Sequence, residues 1–434
     1  MCSYISLSID GGPMVPACAN RYLLQTVTRE YWNASLAYHT SDCGAVQFMK
    51  VKGFTKNDTY SAAAALNGGM DLNSNTILPS QLTLAQEMGL TNASVLAASL
   101  QRTLHWRFAL GQLDPLERQA AYIGGKTLAT LGSPANRAVA LEGAAQGLVL
   151  AKNGPAAGVG GGGGPPVLPL ARGGRVALLG PLGSAQEALL GDYYADSVCP
   201  GDNGFSNKVG YGCVPTLAAA LAAANVGGSV VAYSGVSLKA NDSTWGAAIA
   251  AAAAADAVVV ALGTDRTCAA EGGDLTSTSL PGLQGAFARA VAAAAGPGKP
   301  LVLLLISSFP LALEEVYGSF PAVVLAYNPG FGAAAVASAL FEGGANRWGR
   351  SVFTHYPAAY TSSVALTDFG IPPSPHSPGR TYRYYNGGAG AAPVVFGQGL
   401  SYNELRVACS GAAAGGGVGG AAAAAAAAAA RAPR

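Results

Sequence analysis

The sequence predicts an α/β protein built around a mainly parallel sheet, and three observations carry that reading. Short β-branched or Leu-rich runs alternate with Ala-rich helical runs through the second half of the chain. A Gly- and Pro-rich break precedes them, and the stretch before the break alternates strand-like, loop and helical patterns. Near-continuous apolar strands belong to sheets covered by helices on both faces, which is how parallel sheets are built.

From Met1 to about Arg118 the composition is ordinary. An apolar stretch read as a strand ends in Ser41-Asp42-Cys43-Gly44, and helical patterns run through Ala62 to Leu66 and Ala93 to Phe108. Around Val95 to Leu110, Leu96, Leu100, Leu104 and Phe108 recur at four-residue spacing, which predicts one apolar stripe against a core. His105 and Trp106 beside it read as packing residues rather than as ligand or catalyst. Between Asn153 and Gly174 the run from Gly158 to Pro166 supports neither a helix nor a strand interior, so residues 119–174 read as a linker with a Gly-rich insertion. Five buried strands follow: Arg175 to Leu179, Ser229 to Tyr233, Ala257 to Leu262, Leu301 to Ile306 and Ala322 to Ala326. Thr216 to Ala224, Trp245 to Ala255, Leu283 to Ala295 and Ala333 to Phe341 supply the crossover helices. This second domain spans 175–406, and 407–434 is a low-complexity Ala/Gly tail.

Composition excludes several classes of function. The chain has 434 residues, 50% hydrophobic and 11% charged, against roughly 25% charged in an ordinary soluble domain, so it is not disordered through charge. Net charge is +2 and the Lys and Arg residues are scattered, which leaves no phosphate-neutralising stripe and no nucleic-acid partner. The most apolar stretches are Trp245 to Gly263, which contains Asp256, and Leu301 to Ile306, far short of the roughly 20 residues that span a bilayer, so no membrane segment is expected. The opening Met1-Cys2-Ser3-Tyr4 lacks a basic region followed by an apolar one, so no signal peptide is expected in the chain. The seven Cys have no zinc-type spacing; disulfides are the better reading in a secreted protein. Sequons at Asn33, Asn57, Asn92 and Asn241 permit glycosylation in a secretory compartment. Ala120 to Thr127 ends in Gly-Lys-Thr but has Ala where a P-loop needs its first Gly, and neither nucleotide, metal nor organic cofactor is expected.

The constellation that carries chemistry is acidic. Asp42 sits in a loop after an apolar stretch, and Glu271 follows the strand Ala257 to Leu262. In α/β folds ligands bind beyond the carboxyl ends of the strands, where both acids stand. Ser307-Ser308 has neither a GxSxG elbow nor a nearby base, so serine-hydrolase chemistry has no support.

Ordered strings along nearly the whole chain resemble glycoside hydrolase family 3, in its plant-type β-xylosidase and α-L-arabinofuranosidase branch. Met1-Cys2-Ser3-Tyr4 with Val15-Pro16-Ala17-Cys18-Ala19-Asn20 is similar to MCSYN…PxCAN, and Ser41-Asp42-Cys43-Gly44-Ala45 to the SDC/SDW loop that bears the family nucleophile. Gly69-Met70-Asp71-Leu72-Asn73 resembles the AGxDL turn, and Arg107-Phe108 to Leu113-Asp114-Pro115 the RFxLGxxDP end of the barrel domain. Gly147 to Asn153 resembles the LVLLKN entry to the second domain. Ala270-Glu271-Gly272-Gly273-Asp274 with Leu280-Pro281-Gly282-Leu283-Gln284 is similar to ExEGxDR…LPGxQ, and Pro378 to Arg383 and Phe396 to Tyr402 to PGRTYR and FGYGLSY.

The resemblance implies that residues 1–118 are the C-terminal part of a (β/α)8 barrel, N-terminally truncated, followed by the α/β sandwich. It implies a retaining exo-glycosidase acting on β-linked xylosides, with β-glucosidase, α-L-arabinofuranosidase or a non-catalytic fragment as alternatives. Its partner is an oligosaccharide or glycoside, and its location extracellular or in the cell wall. Asp42 takes the nucleophile's place. Glu271 takes that of the acid/base by elimination, since Ala269 stands where the other candidate acid would be. Tyr4 matches a position beside the nucleophile, where its hydroxyl would steady the Asp or the sugar, or simply pack at a strand end. Cys43 would pack against the sugar or join a disulfide; Cys2 with Cys18 is the pairing favoured on proximity. The chain departs from the pattern at Ile5 for Asn, Ser74 for Cys, and Leu275 for the Arg of DR.

Overall fold

The computed structural model describes residues 2, 6–7, 14–124, 132–158, 164–194, 199, 210–240, 244–365, 367–388 and 390–403. Tyr4, the Asn241 sequon and the tail 407–434 lie outside them. The chain divides into two compact units, Met1–Thr127 and Leu128–Arg434.

The first unit opens with a short antiparallel ribbon, β1 (Ser6–Leu7) against β2 (Val15–Pro16). A 3-10 turn (Ala17–Ala19) and a π-helix (Tyr22–Tyr31) follow. Then come α1 (Ala45–Val51), α2 (Asp58–Gly68), α3 (Ile77–Glu87), α4 (Ala93–Ala109) and α5 (Leu116–Ile123). The chemistry of α2 shows why it starts and stops where it does. Asn57 caps it by accepting a bond from the Tyr60 N–H, and Gly69, at φ 107°, ends it in the left-handed region open to glycine. Its last residue, Gly68, lies so close to Ala19 that a Cβ would fall 2.6 Å from the Ala19 carbonyl carbon. Cys18, Val46, Met49, Ala62, Leu66 and Met70 form the core of this unit. The Cys2–Cys18 disulfide favoured on proximity is present.

Two expectations fail in this unit. The apolar stretch before Asp42 is not a strand: Thr40 and Ser41 make only single parallel bridges, to Leu72 and Cys2. And α4 does not bury the Leu96 to Phe108 stripe, for Leu100, Leu104 and Phe108 are 53%, 38% and 66% exposed. Its inward face is the one carrying Ser99 and Arg102, which bond to Asp71. A buried carboxylate left unpaired costs more than an exposed leucine, and that choice sets the helix rotation.

The second unit is the three-layer sandwich. Helix α6 (Pro134–Gly147), capped by the Ser133 hydroxyl, leads into β3 (Val149–Asn153) and β4 (Arg175–Leu179). α7 (Leu217–Ala224), β5 (Ser229–Tyr233), α8 (Trp245–Ala254), β6 (Ala257–Gly263), α9 (Gln284–Ala295), β7 (Leu301–Ile306), β8 (Ala322–Leu325) and α10 (Ala333–Leu340) follow, then the short α11 (Tyr360–Ser363) and α12 (Thr381–Tyr384). The sheet order is β3-β8-β7-β6-β4-β5. All five expected strands pair in parallel, and β3 joins β8 antiparallel at the edge. The stretch read as a linker therefore holds a helix and an edge strand; a five-residue run beside glycines and prolines carries too weak a period to stand out.

Alternation along each strand divides the core. Val259, Leu304 and Val324 pack with Leu217 and Leu221 of α7 and Val336 and Leu340 of α10. Val258, Val260, Leu303 and Leu305 face α8 and α9, where Phe287 and Val291 complete the opposite layer. With β6 and β7 buried along their whole length, the polar loops they carry emerge together at their carboxyl ends.

Candidate active site

Asp42 and Glu271 belong to different units, and each is described within its own. Asp42 is exposed at the mouth of a turn whose Gly44, at φ 75°, leads into α1. Its Oδ1 accepts the Cys43 N–H at 2.8 Å, and its own N–H donates to the Cys2 carbonyl at 2.7 Å. The preceding residues are tied on both sides. Cys2 donates to Thr40 O, Ser41 donates to Leu72 O, and the Ser41 hydroxyl accepts bonds from Asn73 Nδ2 and the Ser74 N–H.

Behind them lies a charge cluster that the sequence did not single out. The Asp71 carboxylate, with no exposed side-chain surface, accepts Arg29 Nη2 at 2.6 Å, Arg102 Nε at 2.8 Å and the His39 N–H at 2.9 Å. Asp71 and Leu72 return bonds from their N–H groups to the His39 carbonyl. Burial holds the Arg29 guanidinium and the His39 imidazole below their usual values; Asp71 opposes the shift at both, and the positive Arg29 deepens it at His39. Asp71 entered the sequence reading only as part of a turn. Arg29 and Arg102 carried no signal, being single cations in helical stretches.

Cys43 is a free, exposed thiol whose Sγ stands 3.1 Å from Ser74 Oγ, so the disulfide alternative for it is not what forms. The second disulfide is instead Cys199–Cys213 in the other unit.

Glu271 is exposed at the tip of a tight turn in the loop between β6 and α9. Ala270 and Gly273 exchange N–H···O bonds of 3.1 and 2.9 Å across it, and Gly272 takes φ 75°. The root of the loop is clamped by Gln284, wholly buried: its Oε1 accepts the Gly263 N–H, and its Nε2 donates to Gly263 O and Leu238 O. Gly263 is required there, since a Cβ would fall 1.8 Å from Ile306 O. The neighbouring strands add their own polar groups at the same sheet end: Ser308 after β7 donates to Asn328 after β8. Near the loop, burial and a hydrogen bond to Glu187 push the Tyr194 hydroxyl up, and burial raises the Cys268 thiol. Among the described residues no group of three or more His, Cys, Asp or Glu side chains stands placed to hold a metal ion, and no helix is long and apolar enough to cross a membrane.

A mainly parallel sheet covered on both faces, with an acid-bearing loop beyond its carboxyl edge, defines an α/β protein of the open-sheet class, in which ligands bind beyond the carboxyl ends of the strands. Residues 149–402, more than half of the chain, match the glycosyl hydrolase family 3 C-terminal domain. The chain belongs to glycosyl hydrolase family 3.

It is similar to the probable exo-1,4-beta-xylosidase xlnD of Neosartorya fischeri, 34% identical over 417 residues, which are 94% of this chain and 48% of that protein. It is also similar to beta-D-xylosidase 1 of Arabidopsis thaliana, 33% identical over 93% of this chain and 48% of the relative. The chain thus spans about half the length of the curated relatives it matches. Among solved structures it resembles the GH3 exo-beta-xylosidase XlnD in complex with a xylobiose aziridine activity-based probe, at 25% identity and TM-score 0.70, covering 90% of this chain and 47% of that one. A beta-glucosidase from Listeria innocua in complex with glucose, 23% identical with TM-score 0.68 over 90% of this chain and 50% of the other, shares the fold.

Proposed function

We propose that the chain carries both catalytic carboxylates of a retaining exo-glycosidase that hydrolyses β-linked xylosides, with Asp42 as nucleophile and Glu271 as acid/base. The observation that carries the reading is the placement of Glu271 on a clamped loop over the carboxyl edge of the sheet, in a chain one-third identical to proteins named exo-xylosidases. The first unit is read as the C-terminal part of a (β/α)8 barrel, which the parallel bridges Cys2 to Ser41 and Thr40 to Leu72 support.

In this mechanism the Asp42 carboxylate attacks the anomeric carbon while Glu271 protonates the departing oxygen. The glycosyl–Asp42 ester then falls to a water that Glu271 deprotonates, restoring both groups and the configuration at carbon 1. Cys43, beside the nucleophile, and Tyr4 are the proposed sugar contacts. The substrate is a short oligosaccharide or glycoside. An extracellular or cell-wall site is supported by two disulfides and by exposed sequons at Asn33, Asn57 and Asn92.

The test is hydrolysis of aryl β-xyloside, β-glucoside and α-L-arabinofuranoside. Asp42→Ala is expected to abolish turnover. Glu271→Ala is expected to slow poor leaving groups by about 10²–10⁴-fold and activated ones far less, with azide restoring turnover on the latter. Unchanged activity in Asp42→Ala sinks the nucleophile assignment. A preference for the glucoside or arabinofuranoside moves the substrate within the family.

A further inference from the structure

The turn that bears Glu271 fixes its own shape but not its direction, because its internal bonds run only between Ala270 and Gly273 and no atom lies within 4 Å of a Cβ built on Gly272. Among the described residues, what ties the tip down is a single side chain on a different element. The Asp192 carboxylate accepts the Glu271 N–H at 3.0 Å through Oδ2. We propose that Asp192 is a positioning residue for Glu271, setting where its carboxyl stands relative to the leaving-group oxygen; this rests on the acid/base reading above.

The segment from Glu187 to Tyr194 is built as a bracket across the carboxyl end of the sheet. Asn328 Nδ2 donates to Ala188 O at 2.9 Å and the Gly330 N–H donates to Leu189 O at 2.6 Å, so the bracket is anchored to the loop after β8. A Cβ on Gly191 would lie 3.6 Å from Ser308 Oγ, so the bracket also passes against the loop after β7. It meets the Glu271 loop twice: at the tip through Asp192, and nearer the root where Arg266 Nη1 donates to Tyr194 Oη at 2.8 Å. Tyr194 is itself held, donating to Glu187 and standing 3.0 Å from the Tyr211 hydroxyl.

An anionic acceptor makes the tip bond charge-assisted and about twice as strong as a neutral one. A tip free to swing forfeits the orientation that general acid catalysis depends on. The tip itself buries no apolar side chain, so removal of Asp192 is expected to leave the sandwich standing and change only the direction of the turn.

Two readouts on the 434-residue chain separate this proposal from the reading beneath it. Amide hydrogen exchange at Glu271 is expected to rise about tenfold in Asp192→Ala, what the loss of one such hydrogen bond amounts to, while the amides of β6 and β7 keep their protection. Asp192→Asn, which retains a neutral carbonyl acceptor, is expected to fall between the parent and Asp192→Ala. In kinetics, Asp192→Ala is expected to lower kcat on xylobiose about tenfold with KM little changed, to slow an activated aryl xyloside far less, and to be rescued in part by Asp192→Asn. Unchanged exchange at Glu271 in Asp192→Ala overturns the pin. Faster exchange without the leaving-group dependence, where Glu271→Ala does show it, overturns the catalytic role of the pin. Absence of that dependence in Glu271→Ala itself strikes the acid/base reading, and exchange at Glu271 still decides whether Asp192 holds the turn.

Discussion

Asp71 shows how one side chain organises a neighbourhood. Its carboxylate is closed off from solvent between two guanidiniums while it also holds the His39 backbone, three residues before Asp42. Asp71→Asn keeps the shape and removes the charge, leaving two cations buried or half-buried without their counter-ion. The expected loss is about 3–5 kcal/mol, read as a fall in the denaturant midpoint followed by a probe in the first unit. Asp42→Asn, at an exposed position, is expected to change stability by less than about 0.5 kcal/mol.

The same unit carries a pH dependence whose sign follows from burial. Desolvation holds His39 below the usual imidazole value of 6.5, as it does His355 in the second unit. The Nδ1–H of His355 donates to Leu311 O at 2.8 Å, and its buried Nε2 has no partner among the described residues, so a second proton there would be an unpaired buried donor. The unfolded chain takes up these protons as pH falls below 6.5 while the native one resists. Stability is therefore expected to fall from about pH 7 toward pH 5. His355→Gln is expected to flatten the decline, measured as melting temperature against pH.

At the scale of elements, the end of β6 is where the fold hands over to the candidate site. Gln284 opens α9 yet spends its amide on the backbone of Gly263 and Leu238, so helix, strand end and loop root form one joint. Gln284→Ala leaves two buried backbone groups of Gly263 and the half-buried Leu238 carbonyl unpaired, and a loss of about 2–4 kcal/mol is expected from equilibrium unfolding. A second effect belongs to the same joint: faster amide exchange through residues 264–273, ahead of global unfolding. The sequence displayed Gln284 only within a resembling string, LPGLQ. Its amide needed partners from β6 and from the stretch before α8, which no local pattern reveals. Helix α4 is the opposite case, a clear apolar period that tertiary contacts overruled in favour of Ser99 and Arg102. Edge strand β3 was missed because five residues leave no period to read, whereas its pairing with β8 is written in space.

Across the whole molecule the sandwich rests on strands buried on both faces, so its stability is a matter of shape-filling. Leu304 in β7 is wholly enclosed between β6, β8 and the α7/α10 layer. Leu304→Ala is expected to cost about 2–5 kcal/mol, the transfer loss plus the cavity, visible as a lower denaturant midpoint with an unchanged slope. What the sequence determined by itself was the α/β class, the five parallel strands nearly to the residue, the helices between them and the two candidate acids, because hydrophobic period and short motifs are local properties. What only the tertiary structure decided was the rotation of α4, the sixth strand, the Arg29–Asp71–Arg102 cluster behind Asp42 and the Asp192 bracket under Glu271. Each of these joins residues far apart in the chain, and the free energy of burying and pairing charge depends on neighbours that only the folded chain supplies.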